Sequence, residues 1–157
     1  MGSTTETATS MTASLLTKSA LMGAFLFLGA LSVYKGARPD LGWWVEAPFL
    51  GLTLVVIAPI LEEWTFRGWL FDTFRTYFNR HDWASMAQFS VISLHNLTTS
   101  ALFVGLHTVM RDVQTGLLVL LPSLVLGLLR DRGVSLVSLM GIHGLWNFGW
   151  FAIYSPG

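Results

Sequence analysis

The chain contains no cysteine, which excludes disulfides, thiolate metal sites and a cysteine nucleophile. Charge is nearly as scarce. Only 11% of the 157 residues are Asp, Glu, Lys or Arg, against about 25% in an average soluble domain. Nine Lys and Arg balance nine Asp and Glu, and no basic tract stands out, so no nucleic acid is expected as a partner. From Trp83 to Met110 there is no Lys, Arg, Asp or Glu at all. What is present is apolar: 53% hydrophobic residues and a mean hydropathy of +0.60. The length suits one domain. The composition predicts an integral, multi-pass membrane protein with the lipid bilayer as its surroundings.

Residues 1–10 form a polar head with one charge, Glu6, expected to be flexible. Residues 11–157 read as a single transmembrane domain. Leu15 to Tyr34 is the first long apolar segment, with Lys18 near its start. A signal peptide with Ala30-Leu31-Ser32 as its small-residue site competes with a retained helix. The head is not basic and the run is long for a signal, so the retained helix is favoured. Lys35 to Glu46 is a polar connector broken by Gly36, Pro39 and Gly42, closed by Trp43 and Trp44 as a membrane-interface pair. Trp69, Trp83 and Trp150 are expected to anchor the interface as well.

The second helix runs from Ala47 to the pair Glu62-Glu63 and continues as an interfacial amphipathic extension to Phe78. Asn79 to Asp82 breaks it. Trp83 to Met110 forms either one helix or two pieces parted near Asn96 to Ser100. About 20 apolar residues span the hydrocarbon, so one spanning helix is favoured. Val113 to Leu129 follows, kinked by Pro122, then a tight turn at Arg130 to Gly133 and a last span from Val134 to Tyr154. The expected fold is an all-α polytopic bundle of about five spanning helices, with six as the fallback. Lys35, Arg38 and Arg111 would lie on one side, and Arg75, Arg80, Arg130 and Arg132 on the other. The positive-inside rule therefore selects neither orientation.

An uncharged run from Ala47 to Leu61 leads straight into Glu62 and Glu63, with Arg67 four residues after the second. A charge at mid-membrane costs several kcal/mol, roughly 2.5–3.5 by insertion scales, so the three must serve a purpose. Glu63 and Arg67 stand at i, i+4 and can pair. Glu62 points about 100° away and stays available for chemistry. His107 closes Phe103-Val104-Gly105-Leu106-His107, and His143-Gly144-Leu145-Trp146-Asn147 lies in the last span. His143 and Asn147 share one helix face, and Asn147 is costly in hydrocarbon without a hydrogen-bond partner. Intramembrane ionisable groups face the bundle interior and pair. Glu62, Glu63, Arg67, His107, His143 and Asn147 are therefore expected around one polar cavity.

Each feature alone has a plainer explanation. A Glu pair is most often a solvated face, a lone His107 a satisfied core histidine, and His143 with Asn147 a helix–helix hydrogen bond. His95, beside Asn96, reads as structural, and His81 has no assigned role. Phe103 reads as packing behind the site. Ser90, Ser93 and Ser123 lack the GxSxG elbow of a serine hydrolase.

Taken together, Ala58-Pro59-Ile60-Leu61-Glu62-Glu63-Trp64-Thr65-Phe66-Arg67-Gly68 resembles the EExxxR motif of the CAAX-processing and bacteriocin-processing (CPBP) intramembrane proteases. These include the type II CAAX prenyl endopeptidases. Phe103 to His107 is similar to their FxxxH motif, and His143 to Asn147 to their HxxxN motif. Val125 to Gly133 resembles the Gly-bearing helix and turn before the third motif. The resemblance runs from about Thr53 to Phe148, in the family's motif order. Members often have more helices, so the chain reads as the catalytic core with little attached.

The resemblance implies an intramembrane endopeptidase in which a glutamate and a histidine activate water without an obligatory metal. Its substrate would be a membrane-tethered, prenylated or sorting-tail peptide, and its setting a prokaryotic plasma membrane. A low-dielectric cavity favours the neutral form of a carboxyl group, which suits Glu62 as general base and then acid. His107 would hold the same water. His143 and Asn147 would donate to the oxyanion, each donor worth roughly 2.7–4 kcal/mol in other enzymes. Arg67 would pin Glu63. No cofactor is expected; two Glu and two His are zinc-ligand types, but the HExxH helix is missing. The alternatives are a non-catalytic immunity or scaffold protein of the same fold, and a proton-coupled carrier, for which no inverted repeat is visible.

Overall fold

The computed structural model describes residues 42–81, 83 and 92–154. The polar head, the first apolar segment and most of the stretch before Ile92 lie outside the described residues. Within them the chain is all-α. The helices are α1 (Gly42–Glu46), α2 (Pro48–Arg80), α3 (Leu94–Met110), α4 (Val113–Asp131) and α5 (Leu136–Ile153). Among the described residues α2, α4 and α5 are long and apolar enough to cross a membrane. Helices of this length and hydropathy are those of an integral membrane protein. The chain divides into two compact units, one holding the residues to Leu61 and from Val137, the other Glu62–Leu136.

Local chemistry explains the helix ends in the Glu62–Leu136 unit. Ser93, in extended conformation, caps α3 by accepting from the Asn96 N–H at 3.2 Å, satisfying one of the four free donors of a helix start. Asp112 does the same for α4, accepting from Thr115 N at 2.7 Å and Thr115 Oγ1 at 2.9 Å. These bonds to the ionised form hold the Asp112 carboxyl below its usual range. At the far end of α4, Val134 N bonds to Leu129 O and Gly133 N to Arg130 O, both at 3.0 Å. With Gly133 at φ +81° this is a Schellman stop, and buried Leu129 and Val134 supply its hydrophobic contact. The tight turn expected at Arg130 to Gly133 has this form.

Two expectations about breaks resolve differently. The Asn96 to Ser100 cluster does not interrupt α3, because its side chains are satisfied inside the protein. Thr98 and Thr99 donate to the carbonyls of Leu94 and His95 at 2.9 and 2.8 Å. Pro122 does perturb α4. Its missing N–H would have met the Leu118 carbonyl, and the α-helical turns part at Val119, between Leu118 and Leu120. The α3–α4 hairpin closes tightly at Gly116, where a Cβ would collide with the Thr108 hydroxyl.

Helix α2 is not uniformly α-helical. Thr53–Ile57 and Trp64–Leu70 are π-helical, a distortion frequent at functional sites. Trp43 differs from its expected role as an interface anchor. It is 5% exposed and packs edge-on against Trp44 and Phe151 at 5.5 and 6.0 Å. Trp44 in turn meets Phe148, and Gly51 leaves room for its ring. Trp69 is exposed, as an anchor would be.

Candidate active site

In the Glu62–Leu136 unit the site is built around an ion pair removed from solvent. Glu63 and Arg67 are 0% and 1% exposed, and Arg67 Nη1 donates to Glu63 Oε1 at 3.2 Å. The i, i+4 pairing expected from the sequence is present. A buried pair is tolerated only when the remaining donors are also satisfied. Arg67 Nη2 meets that need on α4, donating to Ser123 Oγ at 2.6 Å and to the Ser123 carbonyl at 3.0 Å. The guanidinium lies over the Phe103 ring at 4.8 Å, a cation–π contact. Glu62, the neighbouring residue, is half-buried.

Phe103, expected to pack behind the site, connects its parts. Its ring meets Phe66 edge-on at 5.0 Å and lies 4.3 Å from the His107 ring. His107 is half-buried on α3, and its Nδ1 lies 3.0 Å from the Phe103 carbonyl. A carbonyl can only accept, so Nδ1 carries the hydrogen. In the neutral ring Nε2 then holds the lone pair, as a partner for water requires. Thus Arg67, which holds Glu63, and His107 both lie against one aromatic ring.

The other unit holds the third motif. His143 is 8% exposed on α5. Asn147 Nδ2 donates to the Leu54 carbonyl at 2.9 Å, in the first π-helical stretch of α2. Gly144 makes this approach possible, since a Cβ there would stand 2.5 Å from the Val55 carbonyl. The bond satisfies the polar partner that Asn147 needs in an apolar span. An amide nitrogen carries two hydrogens, so one donor remains for other use.

His95 is structural, as the sequence suggested. Its Nε2 lies 2.8 Å from Asp131 Oδ1, Ser93 Oγ donates to Asp131 Oδ2 at 2.7 Å, and Phe71 abuts the ring at 4.6 Å. Asp131 thereby ties the start of α3 to the end of α4. Sequence reading did not find the role of Ser123, which shares no helical spacing with Arg67. Glu62, Glu63 and His107 are of the types that zinc takes. Among the described residues no three His, Asp or Glu side chains are grouped to hold a metal.

The family model described as "Type II CAAX prenyl endopeptidase Rce1-like" matches residues 43–149. That is more than half of the chain and includes every residue of the three motifs. The chain belongs to this family. The CPBP family assignment of the chain, and with it a membrane-protease character in general terms, follows from this match. Neither the curated proteins nor the solved structures gave a match.

Proposed function

We propose that this Rce1-like protein is a glutamic intramembrane endopeptidase. Glu62 and His107 activate water, Glu63 and Arg67 position them, and His143 and Asn147 supply oxyanion donors. The observation that carries the reading is the family match over all six residues. The buried Glu63–Arg67 pair beside half-buried Glu62 supports it. Two adjacent carboxylates would otherwise compete for one proton. Glu63 is committed to Arg67, and the reading assigns the acid–base role to Glu62.

In this mechanism Glu62 takes a proton from water as the oxygen adds to the scissile carbonyl. His107 Nε2 accepts a hydrogen bond from the water's other O–H, which stays on the attacking oxygen, and its tautomer is held by the Phe103 carbonyl. His143 and the second Asn147 N–H stabilise the oxyanion. Glu62 then returns its proton to the leaving amine, so that water is added across one peptide bond. No step requires a metal. The substrate class is a membrane-tethered peptide, and the family's name points to a prenylated C-terminus.

The test is release of the C-terminal tripeptide from a farnesylated CAAX peptide by the full chain in liposomes. Wild type should cleave with or without chelator. Glu62→Gln and His107→Ala should each lose about a hundredfold or more, the scale of general acid–base catalysis. Loss with chelator alone would transfer the chemistry to zinc. Cleavage by Glu62→Gln at the wild-type rate would remove Glu62 from the mechanism.

A further inference from the structure

Behind Arg67 a line of buried polar groups passes from α2 through α4 to α3 and back to α4. Ser123 Oγ, which accepts from Arg67, donates to Ser100 Oγ at 3.0 Å. Ser100 Oγ donates to Asn96 Oδ1 at 3.1 Å, and Asn96 Nδ2 donates to the Leu124 carbonyl at 3.1 Å. Asn96 is 0% exposed, and Ser100 and Ser123 are each 1% exposed. The line is thus shut off from bulk solvent.

Its direction is fixed at its far end. The Leu124 carbonyl can only accept, so Asn96 must present its NH₂ there and its oxygen to Ser100. Ser100 must then donate to Asn96 and accept from Ser123. Ser123 has one hydrogen, spent on Ser100, so only lone pairs face the guanidinium. Gly127 completes the arrangement, because a Cβ there would occupy the space of the Asn96 amide. Such polarised chains reinforce each bond in a low dielectric and make each deletion costly.

We infer that Ser123 is a positioning residue for the site, held in its accepting orientation by Ser100 and Asn96. The guanidinium is planar, with donors in a rigid fork. Fixing Nη2 on Ser123 and Nη1 on Glu63 sets the rotation of the whole group, and so the place of the Glu63 carboxylate beside Glu62. Ser123 is buried and committed on both sides, which excludes it as a nucleophile. This role rests on the proposed protease chemistry.

The test uses the full chain in liposomes with the farnesylated CAAX peptide, kinetics being normalised to folded protein. Ser123→Ala should lower kcat by about ten- to a hundredfold, the worth of a hydrogen bond to a charged group, with KM within about twofold. Ser123→Thr, which keeps the hydroxyl, should restore most of kcat. Ser100→Ala leaves the Arg67–Ser123 contact in place but frees the Ser123 hydrogen, and should lower kcat in the same sense. A merely structural role would reduce folded protein and leave kcat per folded molecule unchanged, and that result would overturn the inference. Should wild type cleave nothing, the protease reading fails, and thermal unfolding in detergent tests the positioning contact by itself. Ser123→Ala and Glu63→Gln should then be non-additive, whereas additive shifts would overturn the inference.

Discussion

At the scale of single residues the account turns on one cation. Arg67 gathers a carboxylate from its own helix, a hydroxyl and a carbonyl from α4 and the Phe103 ring from α3. Arg67→Ala would strip the buried Glu63 of its ion pair. It should destabilise the protein by about 3–5 kcal/mol, as for other broken buried pairs, read as a lower unfolding temperature in detergent. The paired change Glu63→Gln with Arg67→Met should cost less than Arg67→Ala, because both charges are removed together. If Arg67→Ala unfolds at the wild-type temperature, the pair does not hold the unit together.

The pairing of Glu63 with Arg67 and the contact of Phe103 with His107 were legible in the sequence, because helical periodicity places i and i+4 together. The Ser123 contact was not. Arg67 and Ser123 are 56 residues apart, and which α4 residue faces α2 depends on packing that no local pattern encodes. The burial of Trp43 was missed for the same reason, since its partner Phe151 lies on another helix.

At the scale of elements, helix ends and close approaches carry the predictions. Gly133 stands at φ +81° with open space around it, so substitution there tests backbone strain alone. Gly133→Ala should cost about 1 kcal/mol without changing the catalytic parameters, checked by unfolding and peptide cleavage together. Gly144→Ala places a methyl against the Val55 carbonyl. It should loosen the Asn147–Leu54 contact and raise hydrogen exchange in α5, more than the same change at open Gly141.

The cap of α4 is the pH-sensitive end. The backbone N–H of Thr115 is the largest cause of the lowered Asp112 pKa. A carboxyl lowered on folding stabilises the folded form above its unfolded value of about 3.9. That stability fades as the pH falls through the lower folded value. Exchange at the Thr115 amide should therefore quicken relative to intrinsic rates only in strong acid, and Asp112→Ala should show the quickened rate at neutral pH. These ends were legible, since Asp112, Pro122 and Gly133 act through local chemistry. The π-helical stretches were not, because no residue signature read along the chain marks them.

At the scale of the whole molecule, scarcity of charge identified a membrane protein before any helix was placed. The described residues bear that out in three helices able to cross a bilayer. The few charges that remain divide by purpose. Asp72 and Arg130 meet at 3.3 Å in the open, a contact worth little, whereas Glu63 and Arg67 meet in the interior. Such a buried pair marks function more than stability, because well-packed apolar residues hold a fold as well.

The central claim is that Glu62 hydrolyses peptide bonds in the membrane. The most direct test compares peptide termini in native-host membranes carrying wild type or Glu62→Gln at matched abundance, each with and without chelator. The account predicts new termini with wild type alone, unchanged by chelator. Identical termini in both membranes would contradict it and favour a non-catalytic scaffold of the same fold.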